Sequence, residues 1–281
     1  MQRKNKLTIS RTLMYVVLLM AVLAWLYPIL WGLFTSFKSE AEIRQLGYSF
    51  LPINWTLSNY REILFENPST PIISWFFNSV TVSLSHVLLV LVVTSFAAYG
   101  YARLDFWGKD ILFSCLLASM MFPGIVNLIP LYDIMTELGW VNSKLALIVP
   151  GAGSVGNVFL VRQFALNIPK SFDESARIDG ANDFQIFYRI ILPILKPVLI
   201  VTALFSFTGS WNDFLWPSII MNGVDKLTIT PGLQLLQGQY RSFPGLGIAG
   251  AVIAIIPTFL LYLFAQKYFM ESLSLEAGLK G

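Results

Sequence analysis

The chain has 281 residues, of which 56% are hydrophobic, 15% aromatic and only 12% charged, with a formal net charge of +3. Such a balance is too oily for an ordinary water-soluble fold, and so small a positive charge gives no basis for nucleic-acid binding. A membrane protein is therefore the first expectation.

The basic start MQRKNK leads into 26 residues without a formal charge between Arg11 and Lys38. A secretory signal begins in the same way, but this apolar run exceeds a typical h-region and ends at residues 31–37 without a small-residue cleavage pattern. It reads as an uncleaved anchor. Further spans are predicted at about residues 78–102, 111–132, 143–161 and 197–220, and a sixth within the 25 uncharged residues between Arg241 and Lys267. Each is close to the roughly 20 apolar residues that a helix needs to cross hydrocarbon. Their continuous apolar character argues for helices and against the alternating pattern of barrel strands.

An even number of spans puts both termini on one side. With both inside, 13 of the 19 lysines and arginines are internal, and only Lys38, Arg44, Arg61, Lys144, Lys226 and Arg241 are external. Basic residues report orientation in this way, so both ends are expected in the cytoplasm. The predicted fold is all-α: one polytopic membrane protein with six transmembrane helices across 1–281. Residues 1–11 form its cytoplasmic N-terminus, 12–270 the membrane domain and 271–281 a cytoplasmic tail. The single cysteine, Cys115, has no partner for an internal disulfide and is expected as a small buried residue of the third span.

Two features stand out from the oil. In the second span, Asn78, Ser83 and His86 are polar groups at membrane depth, where such groups face protein or a water-filled cavity. Asn212 and Asp213 lie near the outer end of the fifth span between Trp211 and Trp216. Aromatic faces beside an amide and a carboxylate suit a sugar, although tryptophans are also ordinary interfacial anchors.

The second feature is the charged stretch ESARIDGANDFQIFYRIILPILKP, residues 174–197. Ser171 with Glu174 has the spacing of a capping box, and Gly180 suits a left-handed helix end. Asn182 with Gln185 starts a second helix whose apolar stripe is Phe184, Phe187, Tyr188, Ile190 and Ile191. Pro193 and Pro197 suit first helical turns. By these features alone the stretch is a solvated pair of short helices.

No chemistry-bearing set accompanies it. The phosphate-loop pattern GxxxxGK[ST] is missing, since Gly108-Lys109 is followed by Asp110, and there is no HExxH; His86 is the lone histidine. Neither a catalytic centre nor a bound metal or cofactor is expected.

The string Glu174, Ala176, Asp179, Gly180, Ala181, Phe187, Ile190, Leu192, Pro193 and Pro197 resembles the EAA loop of binding-protein-dependent ABC transporter permeases, with Ser175 where alanine is common. NSVTVS, AAYGYARLDFWGK, FPGIVNLIPLY, FLVRQFALNIPKSFDESARIDGA and GSWNDFLWP are similar to the MalG-like branch of carbohydrate importers. So is the tail QKYFMESLSLEAGLKG, apart from Leu275 and Glu276. The resemblance implies a bacterial inner-membrane subunit whose loop, at 168–197, seats a coupling helix in a cytoplasmic ABC ATPase dimer. Glu174, Ser175, Ala176, Asp179, Gly180 and Ala181 would form that joint, the small Ala176 and Gly180 allowing close approach. It further implies a second, MalF-like permease, an extracytoplasmic solute-binding protein docking on loops 39–73 and 222–244, a carbohydrate cargo, and ATP and magnesium held by the ATPase. A glycerophosphate-type solute is the alternative cargo, and an ion-coupled secondary transporter the alternative class.

Overall fold

With no water to satisfy backbone amides in hydrocarbon, a chain this apolar must pair them internally. A computed structural model describes the backbone of residues 2–46, 49–67, 69–238 and 244–278, and every regular element among them is helical. In chain order they are α1 (Gln2–Thr35), α2 (Glu40–Leu46), α3 (Ser58–Arg61), α4 (Ile72–Arg103), α5 (Lys109–Ser119), α6 (Leu128–Glu137), α7 (Leu145–Ile148), α8 (Val155–Leu166), α9 (Ser171–Ile178), α10 (Asp183–Ile186), α11 (Leu192–Ile194), α12 (Lys196–Trp211), α13 (Leu215–Ile220), α14 (Ile229–Gly238) and α15 (Pro244–Gly278). Side chains of the tail beyond residue 267 lie outside the described residues, as do residues 239–243 of the expected loop 222–244.

Three segments are continuous helices apolar and long enough to span: Arg11–Thr35, Ile72–Arg103 and Pro244–Lys267. The third and fourth expected spans are bent helix pairs, and the fifth is preceded by a bend. Lys109–Ser119 and Gly124–Glu137 meet at 93°, Leu145–Gly153 and Val155–Leu166 at 45°, and Asp183–Ile194 and Lys196–Trp211 at 75°. The bends fall at Pro123-Gly124, at the Gly151–Gly153 turn and before Pro197, where a missing amide proton or a glycine interrupts the hydrogen-bond ladder. The fifth window also ends early, because α13 is separated from α12 by Asn212, Asp213 and Phe214.

Two compact units divide the chain, residues 1–72 with 233–255, and 73–232 with 256–281. In the first, Asn59 Nδ2 donates to the carbonyls of Ser36 (2.9 Å) and Lys38 (2.8 Å), and the Ser36 and Tyr60 hydroxyls lie 2.7 Å apart. Lys38 is buried and donates to the Ser49 carbonyl, while Glu42 accepts from the Ile53 amide at 2.8 Å. These bonds tie residues 36–42 to residues 49–60, within and beside the expected loop 39–73. By contrast, α1 turns its apolar side chains outward from residue 11 to 30, a surface that hydrocarbon or another chain accommodates.

In the second unit, residues 224–232 are sewn to the start of α4. Trp75 Nε1 donates to the Val224 carbonyl at 2.5 Å, Asn78 Nδ2 to the carbonyls of Asp225 (2.9 Å) and Leu227 (3.0 Å), and the Ile229 amide to Ser79 Oγ at 2.7 Å. Leu227, Thr228 and Ile229 are buried, so part of the stretch expected as a solvated outer loop is core. At the other end of α4, one apolar cluster joins Ala98, Tyr99 and Ala102 to Val161 and Ala165 of α8, Ala176 of α9, Ile186 of α10 and Val198 of α12. The alanines let these helices approach closely.

Candidate functional site

The charged stretch folds as two short helices hinged at Gly180, whose φ of +81° is the left-handed conformation expected of it. There the Ala181 amide bonds back to the Ala176 carbonyl at 2.9 Å, closing the end of α9. A Cβ at Gly180 would meet nothing within 4 Å, so only the backbone demands glycine. Gly180→Val is accordingly expected to cost about 1–2 kcal/mol through the left-handed residue alone, and Gly180→Asn much less. Thermal unfolding of the purified variants measures both.

The second helix starts as its sequence foretells: Asn182 Oδ1 accepts from the Gln185 amide and Gln185 Oε1 from the Asn182 amide, each at 2.9 Å. The first does not. Lys170 is the N-cap of α9 and Ser171 is already helical, so the expected Ser171–Glu174 box is absent; the Glu174 amide bonds to the Lys170 carbonyl instead. A five-residue π-helical segment, Phe187–Ile191, then carries the chain to α11, and Pro193 and Pro197 sit in first turns as expected. Phe187 packs between Phe96 (4.7 Å) and Tyr99 (5.1 Å), and the Tyr99 hydroxyl donates to the Asp183 carbonyl at 3.0 Å.

This seating gives the element two faces. Ala176 is buried in the protein's own core, so it is a packing residue and not the close-approach surface expected from its size. Glu174, Ser175, Asp179 and Gly180 are exposed and Ala181 is half-buried. Beside them stand Phe184 of the expected apolar stripe, Phe172 and above all Ile178, 86% exposed, the last two not singled out by the sequence pattern. An exposed isoleucine between Arg177 and Asp179 was the available signal.

A cleft of about 550 Å³ lies behind α9, between it and the end of α4. Arg103 Nε stands 3.4 Å from Asp173 Oδ2, both side chains being shielded (3% and 15% exposed). Lys170, Glu174, Arg177 and Asp183 also line it, and Arg177 pairs with Asp183 on its exposed rim. At its edge, the Lys109 ammonium donates to Asp105 and holds that carboxyl below its ordinary range, first by the hydrogen bond and then by charge.

Of the five expected pathway residues, His86 lines one cavity together with Ser210, the partner of Ser83, while Asn78, Asn212 and Asp213 are not part of that lining. Asn78 fastens the 224–227 segment, as described above. Ser83 is buried and donates to Ser210 Oγ at 3.2 Å; His86 Nδ1 lies 2.8 Å from the Ile148 carbonyl. Asn212 is exposed at the end of α12, and the Asp213 carboxyl takes backbone hydrogen bonds from Leu215 and Trp216, capping α13. Trp211 offers no sugar platform, since it is 1% exposed and stacked on Phe207 at 5.5 Å, and Trp216 donates to the Ala146 carbonyl at 2.8 Å. Cys115 is exposed, contrary to the buried position expected of it.

Residues 91–272 match the family described as binding-protein-dependent transport system inner membrane component. The chain is 34% identical to the arabinooligosaccharides transport system permease protein AraQ of Bacillus subtilis, over 100% of both chains. It is 32% identical to the galactooligosaccharides transport system permease protein GanQ of Bacillus subtilis, over 96% of both. Among solved structures, the crystal structure of a bacterial ABC transporter involved in the import of the acidic polysaccharide alginate contains a chain that matches with a TM-score of 0.82. The identity there is 26%, covering 93% of this chain and 97% of that one.

Proposed function

The chain belongs to the family of binding-protein-dependent transport system inner membrane components, and from that premise we propose that it is the MalG-like permease subunit of an ATP-driven oligosaccharide importer. It works beside a second, MalF-like permease and receives cargo from an extracytoplasmic binding protein. A cytoplasmic ATPase dimer holds the ATP and magnesium, and this chain binds no cofactor of its own. It crosses the inner membrane six times, with both termini in the cytoplasm. Three long apolar helices, the two bent pairs within residues 109–166, and α12 followed by α13 support that number, and the excess of inner basic residues supports the orientation.

One observation carries the coupling role. The two-helix element presents Glu174, Asp179 and the bare Ile178 outward while Ala176, Ile186 and Phe187 fix it to α4, α8 and α12. A rigid body seated in an ATPase cleft by its outer face transmits nucleotide-driven closure to the helices it grips. Gly180 and Ala181 form the turn between its two helices, and Ser175 adds to the exposed face.

Oligosaccharide cargo is favoured over a glycerophosphate because relatives covering the whole chain are named for arabino- and galacto-oligosaccharides. Deleting the gene and following labelled oligosaccharides and glycerophosphodiesters into cells tests this. Loss of uptake of one oligosaccharide class is expected; unchanged uptake of all of them, with loss of a phosphodiester, would assign the other cargo.

A further inference from the structure

Near the middle of α4, a cavity of about 330 Å³ lies between His86, the Gly151 turn, Asn157 of α8 and Ser206, Gly209 and Ser210 of α12. Its size falls at the lower end of small-molecule sites, which run from about 300 to 1,000 Å³. We propose that this cavity is a contact point on the translocation path for one glycosyl unit of an uncharged sugar. The proposal rests on the permease reading above and names its site.

The polar groups are set as hydrogen-bond donors and acceptors. The Ile148 carbonyl can only accept, so His86 Nδ1 carries the proton and, in the neutral ring, Nε2 is left as an acceptor. Gly151 makes room for that ring, since a Cβ there would come 2.8 Å from Cε1. Asn157 Nδ2 donates to Ser206 Oγ at 3.1 Å, which leaves the amide oxygen and the serine hydrogen for other partners. Ser210 Oγ accepts from Ser83 at 3.2 Å and retains its own hydrogen. Phe205 adds an aromatic surface to the lining.

Alternating donors and acceptors beside an aromatic ring match a sugar's hydroxyls and its apolar face. No lysine or arginine lines the cavity, so a phosphate or carboxylate would shed water there without a counter-charge. Bland packing explains less: a span seam closed only for stability would fill this space with side chains.

Gly209 provides the test, because it lines the cavity and a Cβ there meets nothing within 4 Å. The complete transporter, with its ATPase, second permease and binding protein, is reconstituted in vesicles and assayed with labelled arabino- and galacto-trisaccharides. Gly209→Phe should lower uptake at least tenfold while sugar-stimulated ATP hydrolysis stays within twofold, and Gly209→Ala should stay within twofold for both. On a Cys115→Ala background, Gly209→Cys should be shielded from a neutral thiol reagent by the imported trisaccharide and not by a uronic-acid trisaccharide. Normal uptake by Gly209→Phe, or shielding by the uronate alone, would overturn the proposal. Absence of uptake by the wild-type complex would instead overturn the permease reading.

Discussion

Replacing Ile178 by aspartate is expected to release the ATPase from the purified complex while leaving the permease folded. At 86% exposure the side chain contributes little to the protein's own core, so the substitution should not lower its unfolding temperature measurably. Burial against a partner is another matter, since covering an isoleucine is worth about 1.5–3 kcal/mol. At about 1.4 kcal/mol per decade, that alone weakens binding by roughly 10- to 150-fold, and forcing a carboxylate into the same apolar contact adds to it. Titrating the ATPase onto nanodisc-held permease measures the change. Wild-type affinity in Ile178→Asp would place the joint elsewhere on the chain.

Arg103→Met should do the opposite, damaging the fold of the loop more than its outer face. The Arg103 guanidinium and the Asp173 carboxylate connect the end of α4 to α9, and removing one partner strands the other in a shielded cleft. Breaking a buried pair in this way costs about 3–5 kcal/mol, whereas replacing both ions by apolar groups is often nearly neutral. Thermal unfolding should therefore show a large loss for Arg103→Met and recovery of most of it in Arg103→Met with Asp173→Leu. Equal losses in the single and double variants would mean that the pair does not hold α9. If ATP hydrolysis in the single variant persists while uptake falls, the strut also carries motion.

The features legible in the sequence were those set by neighbours a few residues away. Gly180 and the Asn182–Gln185 box were readable because a left-handed turn and a capping pair are decided within one helical turn. The Ser171 box failed on the same scale: Lys170 had already taken the N-cap position, so the serine became an ordinary helical residue. What tertiary packing decides was not legible. A small alanine fits a partner's surface or the protein's own core equally well, and the cluster around Val161 claimed Ala176. Trp211 was drawn inward by Phe207 and Phe76, while Cys115 faces outward from α5. Apolar length marked six membrane segments but could not reveal bends at Pro123-Gly124 or before Pro197, because hydropathy carries no direction. His86 was visible as the lone histidine, but Asn157 and Ser206, more than sixty residues away, had to be brought to it by the fold.

ATP-driven uptake in a defined system tests the central claim most directly. Vesicles holding this chain and its partner permease, with the ATPase and ATP on the cytoplasmic side and the binding protein on the other, are given labelled oligosaccharide. Uptake should require ATP and the binding protein together, ignore an imposed proton or sodium gradient, and vanish when Ile178→Asp replaces the wild-type chain. Uptake driven by an ion gradient with no ATPase present would contradict the account and assign the chain to the ion-coupled transporters.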